Sequence, residues 1–553
     1  MRVRFDSFYS YAELTETLEA WAAAFPTLCS LESIGSSYEG RDIWLVTVTN
    51  LDTGPAHEKP ALLVEAQIHA AELTATTAAL HLVERLLHEY GTDERVTRAL
   101  DTRTFYVVPR LSPDGAEVAL AGKWVRSSVR PYPRADAADG HHEEDVDGDG
   151  RILLMRISDE NGAWTPHHEE PRLLVARAPD AEGGEYYRVL PEGTIRNYDG
   201  ATIPVAPPFE GLDLNRNWPG SWKPENEQFG AGDFPTSEPE TRAMVQAIAD
   251  RPNICAHISY HTMSGVHLRP FGAKPDDEFP TRDLDAYKRI GEEATRLTGY
   301  PAISIHHGFR YDTKSDVMGA PDVWMYETLG LFTWVTEFWS PMRRAGLTDY
   351  EFIGWFKEHP VEDDLALLRY ADSVGGGYVD WYPFEHPQLG PVELGGWDEM
   401  RFFVNPPFSL LEDEVAPHAD FALFHALVSP RLEVRSFVAT TIANDARRLE
   451  LVIENTGWLP TNITQKAVEK KAVRAVEVEL ELPAGARVVS GNQHVELGQL
   501  NGRSKERSLY WFEDRSTSDR ARVEWVVEAK PGDRISAVVR HERAGTVRTE
   551  LVV

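Results

Sequence analysis

Residues 60–90, PALLVEAQIHAAELTATTAALHLVERLLHEY, decide the fold. The segment opens on a nearly unbroken apolar run, ALLVEA, and such a run without polar alternation reads as a strand covered on both faces. It closes on TATTAALHLVERLLHEY, whose apolar residues recur at helical spacing. A buried strand feeding straight into a helix is the unit of a layered α/β sheet. At the junction stand His69 and Glu72, two metal-competent side chains three residues apart.

The same rhythm extends to both sides. SYAELTETLEAWAAAF has a helical period with Ser10 as its cap, and DIWLVTVTN and RTFYVVPRLSPDG read as strands, the latter ending in a turn signal. Further along, NICAHISYH, PAISIHH and FTWVTEFW are strand-like, with helical patterns such as TRDLDAYKRIGEEATRL between them. The expectation for residues 1–430 is an α/β domain, a mixed central sheet with helices on both faces. A segment at about 127–208, rich in Pro, Asp, Gly and Glu, breaks the rhythm and reads as a long insertion in a loop. Beyond residue 430 short strands punctuated by Gly, Pro and Asn, among them RLEVRSFVATTI, RRLELVIENTG and RARVEWVVEAK, predict a separate all-β sandwich over 431–553.

A chain of 553 residues exceeds what one core usually serves, which agrees with two domains. Its net charge of −32 excludes nucleic-acid binding and anionic membranes, because both demand a basic surface. The two cysteines, Cys29 and Cys255, stand in no motif, so neither a disulfide framework nor a thiolate zinc site is expected. The N-terminal residues lack the apolar centre of a signal peptide, and no apolar run is long enough to span a bilayer. A cytoplasmic location is the expectation.

An H-x-x-E pair acquires meaning only with partners, since catalytic zinc takes three protein ligands and keeps a fourth position open. His261, immediately after the apolar run of ICAHISYHTMSG, supplies a third ligand where an α/β sheet gathers its functional side chains. His257, inside the run, reads as a satisfied buried histidine. In FEGLDLNRNWPGSW, Arg216 is suited to clamp a carboxylate bidentately, and Asp213 to accept the ring N–H of a ligating histidine. Glu337 is a lone acid in the aromatic strand LFTWVTEFW, costly there without a partner or a role.

Taken together, these motifs resemble the zinc carboxypeptidases of the carboxypeptidase A type. The resemblance lies in IGSSYEGRDIWLVTVTN, HAAE, LDLNRNW followed by SEPET, SYH and TEFW, in that order, across most of residues 5–340. It implies the carboxypeptidase-like α/β/α fold and zinc held by His69, Glu72 and His261. It implies Glu337 as the base that deprotonates the attacking water and returns the proton to the leaving amine. Arg216, with Asn215, would hold the C-terminal carboxylate of a peptide substrate. Arg126, preferred to Arg130 because it follows Trp124 more closely, would stabilise the oxyanion. Tyr311 is the nearest match to the family's substrate-capping tyrosine. Counting back from Glu337 places Asp322 at the base of the pocket for the terminal side chain, where an acid would favour Lys or Arg.

The chain also departs from the family pattern. Ala71 stands where many relatives carry an arginine, and Thr262-Met263 replace a frequent Ser-Tyr. An amidase acting on γ-linked or D-amino-acid peptides is therefore an alternative to ordinary peptide trimming, and a non-catalytic peptide-binding module is a third reading. Within the insertion, EEDVDGDGRILL sets Asp145, Asp147 and Asp149 at alternate positions like the first half of a calcium loop. The twelfth position is Arg156 instead of an acid, so calcium stands against a solvated acidic turn.

Overall fold

The computed structural model describes residues 2–131, 139–206, 211–310, 318–348, 350–506, 510 and 516–553. Its centre is an eight-stranded sheet. In chain order the strands are β1 (Cys29–Ser36), β2 (Asp42–Val48), β3 (Ala61–Ala66), β4 (Thr104–Val108), β5 (Ile254–Thr262), β6 (Val266–Arg269), β7 (Ala302–Ser304) and β8 (Phe332–Phe338). Their spatial order is β1-β2-β4-β3-β5-β8-β6-β7. The middle four, β4, β3, β5 and β8, run parallel, whereas β2 and β6 join them antiparallel. The sheet is mixed, as expected.

Every residue of β3, β5 and β8 is buried, which is why their sequences lack alternation. One face is covered by helices α1 (Tyr11–Ala24), α2 (Leu73–Glu89), α3 (Thr281–Thr298) and α4 (Phe408–Leu427), whose apolar sides share one core with the sheet. The opposite face packs against helix Pro239–Ala249 and the buried Trp218. Ser10 caps α1 in a capping box with Glu13.

The inserted segment is more ordered than its composition suggests. Leu154–Ser158, Tyr187–Pro191, Trp164–Pro166 and Leu174–Ala176 form part of a six-stranded sheet with the later hairpin Tyr378–His386 and Gly390–Trp397. Leu154–Ser158 finds its partner strand more than 200 positions away, in Glu393–Gly395, so no local pattern could reveal the pairing. From Leu432 onward two four-stranded antiparallel sheets enclose their own core.

This β unit is fastened to the segment between Asp322 and β8. Asp283 of α3, 2% exposed, accepts the backbone N–H groups of Gln465 and Lys466 at 2.7 and 3.1 Å and the Tyr326 hydroxyl at 2.9 Å. Thr464 and Arg543 donate to the carbonyls of Gly330 and Leu329. Gly330 has φ +67°, and a Cβ there would meet the Ala467 backbone at 2.4 Å, so only glycine fits. Among the described residues no helix is long and apolar enough to cross a membrane.

Candidate active site and metal centre

β3, β5 and β8 end side by side, and their ends carry the chemistry. His69 lies in the turn after β3, and Glu72 is the residue on which α2 begins. His261, near the end of β5, is in register with Glu337 on β8. The turn is held from several sides. Gln67, at φ +53°, donates to the Ala70 carbonyl and accepts from Arg110. Asn405, distant in sequence, accepts the Thr74 N–H at 3.0 Å and donates to the Ala71 carbonyl at 2.8 Å. Neither anchor had a sequence signal, since an isolated Gln or Asn is uninformative without its partners.

The three candidate ligands converge. His69 Nδ1 lies 2.7 Å from Glu72 Oε1, His261 Nδ1 lies 3.0 Å from Glu72 Oε2, and the two Nδ1 atoms are 3.2 Å apart. All three residues are at most 5% exposed. Tetrahedral ligands about 2.0–2.1 Å from a zinc ion sit about 3.3 Å from one another, so the spacing suits one ion and leaves room for an exchangeable fourth ligand. Asp213 accepts from His69 Nε2 at 3.2 Å. Both ring nitrogens of His69 face carboxylates, and with a metal held on the Nδ1 side the ring proton would sit on Nε2 and be donated to Asp213. The donor set therefore fits zinc.

The charges are complementary. Burial opposes ionisation of Glu72, but the rings of His69 and His261 hold its carboxyl down. Burial likewise opposes charging of His261, and Glu72 overrides it upward. Asp213 is held well below the ordinary carboxylate range against its burial, by Arg126, Arg216 and His69. Glu337 behaves differently. Burial pushes its carboxyl up to about 8, and Glu72 adds to this while His261 and Arg126 pull the other way. The two neighbouring carboxyl groups are thus shifted in opposite directions.

A cavity of about 420 Å³ joins His69, Glu72 and Glu337 to Arg126, Asn215, Arg216 and Asp322. Arg126 faces it while donating to Asp213 at 3.0 Å. Arg130 does not reach it, because it is engaged by the fully buried Glu238 at 2.8 Å. The Arg216 guanidinium hydrogen-bonds the Asn215 carbonyl and forms no ion pair among the described residues. Asp322 is 2% exposed, burial raises its pKa, and its Oδ2 has no hydrogen-bond partner. Tyr311 lies outside the described residues.

Two expectations need correction. His257 is fully buried but not satisfied: neither ring nitrogen has a hydrogen-bond partner, and the Glu65 carboxylate is 3.7 Å away. The three acids of the insertion do not act as one set. Asp145 and Asp147 approach Glu192, whereas Asp149 turns to Arg151 at 2.6 Å. Glu192, distant in sequence, already accepts backbone N–H groups from Val146, Asp147 and Leu153, and the structure gives calcium no support.

Buried parallel strands whose ends carry two histidines and a glutamate beside a second carboxyl make a candidate metal centre. The chain belongs to the zinc carboxypeptidase family, whose model matches residues 14–353. It is 24% identical over 331 residues to carboxypeptidase A1 of Sus scrofa, covering 59% of this chain and 62% of that protein. It is 24% identical over 310 residues to carboxypeptidase B of Astacus astacus, covering 56% and 76%. The chain thus spans less than two thirds of the pig relative. Among solved structures, thrombin-activatable fibrinolysis inhibitor aligns with 76% of this chain and 74% of its own, at 15% identity and a TM-score of 0.44. Residues 431–552 match a domain of unknown function.

Proposed function

We propose that the protein is a zinc-dependent metallocarboxypeptidase that hydrolyses the C-terminal peptide bond of peptides. The observation that carries this reading is Arg216, a guanidinium without an ion-pair partner among the described residues, in the same cavity as the ligand triad and Glu337. Such a group is suited to a terminal carboxylate, which it can hold through two parallel hydrogen bonds. His69, Glu72 and His261 would hold the zinc, which supplies Lewis-acid polarisation of the scissile carbonyl and acidifies water.

The chain's own residues do the rest. Arg216 and the Asn215 side chain, whose Oδ1 is buried without a partner, orient the substrate terminus. Glu337 takes a proton from the attacking water onto its carboxylate and passes it to the departing amine. Arg126, aimed by Asp213, offers its guanidinium to the oxyanion. Asp322 sets the terminal residue. A buried carboxyl with an unpartnered oxygen is costly, and the ammonium of Lys or the guanidinium of Arg relieves that cost.

The test is a series of peptides differing in the last residue, assayed with zinc, after chelation and after zinc is restored. Release should stop on chelation, return with zinc, and fall at least about 100-fold in Glu337→Gln while zinc stays bound. Chelator-resistant release, or full activity in that variant, would overturn the reading. Release from γ-linked or D-residue peptides alone would favour the amidase.

A further inference from the structure

A second cavity, of about 570 Å³, opens beside the first and shares Trp124 and Glu399 with it. Leu73, the residue after Glu72, lines it, whereas Arg216 and Asp322 line only the first cavity. The walls of the second cavity come from stretches far apart in the chain, among them the start of α2, residues 119–124, the inserted segment at Glu143, Gly150–Leu154 and Pro191, and residues 397–401. The last stretch is tied to the metal-site turn by Asn405, through Ala71 and Thr74. Ala71 is a small residue, and it lines the first cavity together with Glu399.

The cavity is aromatic and acidic. Phe8, Trp124, Trp397 and Phe408 form its apolar faces. Glu399 and Glu143 have no ion-pair or hydrogen-bond partner among the described residues. Both arginines of the wall are already engaged, Arg151 by Asp149 at 2.6 Å and Arg401 by the Gly150 carbonyl at 3.3 Å. Glu399 and Glu143 are reached by solvent, yet the concave walls strip enough water to raise both carboxyl groups, and Glu143 raises Glu399 further by like-charge repulsion. Carboxylates set among aromatic faces are the chemistry that recognises an ammonium or a guanidinium.

We propose that this second cavity is the acyl-side subsite of the enzyme and that Glu399, backed by Glu143, receives a cationic group from the substrate residues preceding the scissile bond. The inference rests on the carboxypeptidase reading, which fixes the direction of the substrate: terminus at Arg216, cleaved bond at Glu337, preceding residues toward Trp124. A cation there gains a charge-assisted contact and relieves the repulsion between the two acids. The inserted segment is then the part of the chain that reads the substrate upstream of the cut.

The experiment uses the zinc-loaded full chain and acetylated peptides of one C-terminal residue. Lys, its uncharged counterpart norleucine, or Glu occupies the first or second place before the scissile bond. The expected result is a kcat/KM for Lys at least about tenfold above norleucine at one of these places, with Glu poorest. In Glu399→Gln the Lys-to-norleucine ratio should collapse toward one, and in Glu143→Gln it should fall by less. Equilibrium binding of the same peptides to the zinc-loaded Glu337→Gln variant reads the preference without turnover, so loss of hydrolysis and loss of charge recognition are told apart. Equal treatment of Lys and norleucine at both places, or a Lys preference that survives Glu399→Gln, would overturn the proposal.

Discussion

Replacing Asp213 with Asn tests the site most sharply, because this carboxylate serves three donors at once. Its Oδ1 accepts His69 Nε2–H at 3.2 Å and the Asn215 N–H at 2.8 Å, while Oδ2 accepts Arg126 Nε–H at 3.0 Å. An amide of the same shape has one acceptor oxygen and one NH2 group. If the oxygen stays toward His69, the NH2 faces the Arg126 N–H, and two donors oppose each other. If the amide flips, its NH2 faces His69 Nε2 and draws the ring proton to Nδ1, which removes the lone pair pointing at Glu72 and His261. Either orientation damages one function. Loss of a carboxylate behind a ligating histidine costs about 10–100-fold in metal affinity, or about 1.4–2.7 kcal/mol. Competition with a chromogenic chelator measures the affinity, and kcat at saturating zinc reports on Arg126. The expected result is a drop of about tenfold or more in at least one of the two. Both quantities within about twofold of the parent would refute the assigned role of Asp213.

Three further outcomes follow from particular contacts. Asp322→Asn should lower kcat/KM for peptides ending in Lys or Arg by about tenfold or more relative to those ending in Leu, and an unaltered ratio would remove Asp322 from specificity. His267, His418 and His425 are buried and kept neutral by burial, at about 3 for His267, well below the ordinary value for His418 and about 4 for His425. Unfolding lets each take up a proton once the pH falls below about 6.5, so their contribution is whole above that pH and is lost below it, by up to about 1.4 kcal/mol per pH unit for each ring. Denaturant midpoints between pH 7 and 5 check this, and a flat profile would contradict it. Asp283→Ala leaves two backbone N–H groups and the Tyr326 hydroxyl without their acceptor. It should cost about 1–3 kcal/mol per orphaned buried group, read by calorimetry, and raise KM through the segment that carries Asp322.

The sequence by itself determined the α/β class and pointed to the candidate ligands and to the acid on β8, because buried parallel strands and H-x-x-E spacing are local patterns. His69 and Glu72 share one turn, and His261 and Glu337 each stand near the end of an apolar run, so their meeting could be expected from strand order. Tertiary structure alone decided matters that depend on distant partners. Arg126 was separated from Arg130 by Glu238, more than 100 residues on, which holds Arg130 away from the cavity. Asp145 and Asp147 were brought beside Glu192, distant in sequence, whereas Asp149 pairs locally with Arg151. Asn405 and Glu399, over 300 residues beyond His69, carry no motif, yet the fold sets them against Ala71 and across the mouth of the second cavity. Periodicity and spacing encode what a segment does with its own neighbours, whereas ion pairing and cavity walls are settled by whichever remote side chains the packed sheets bring within a few ångströms.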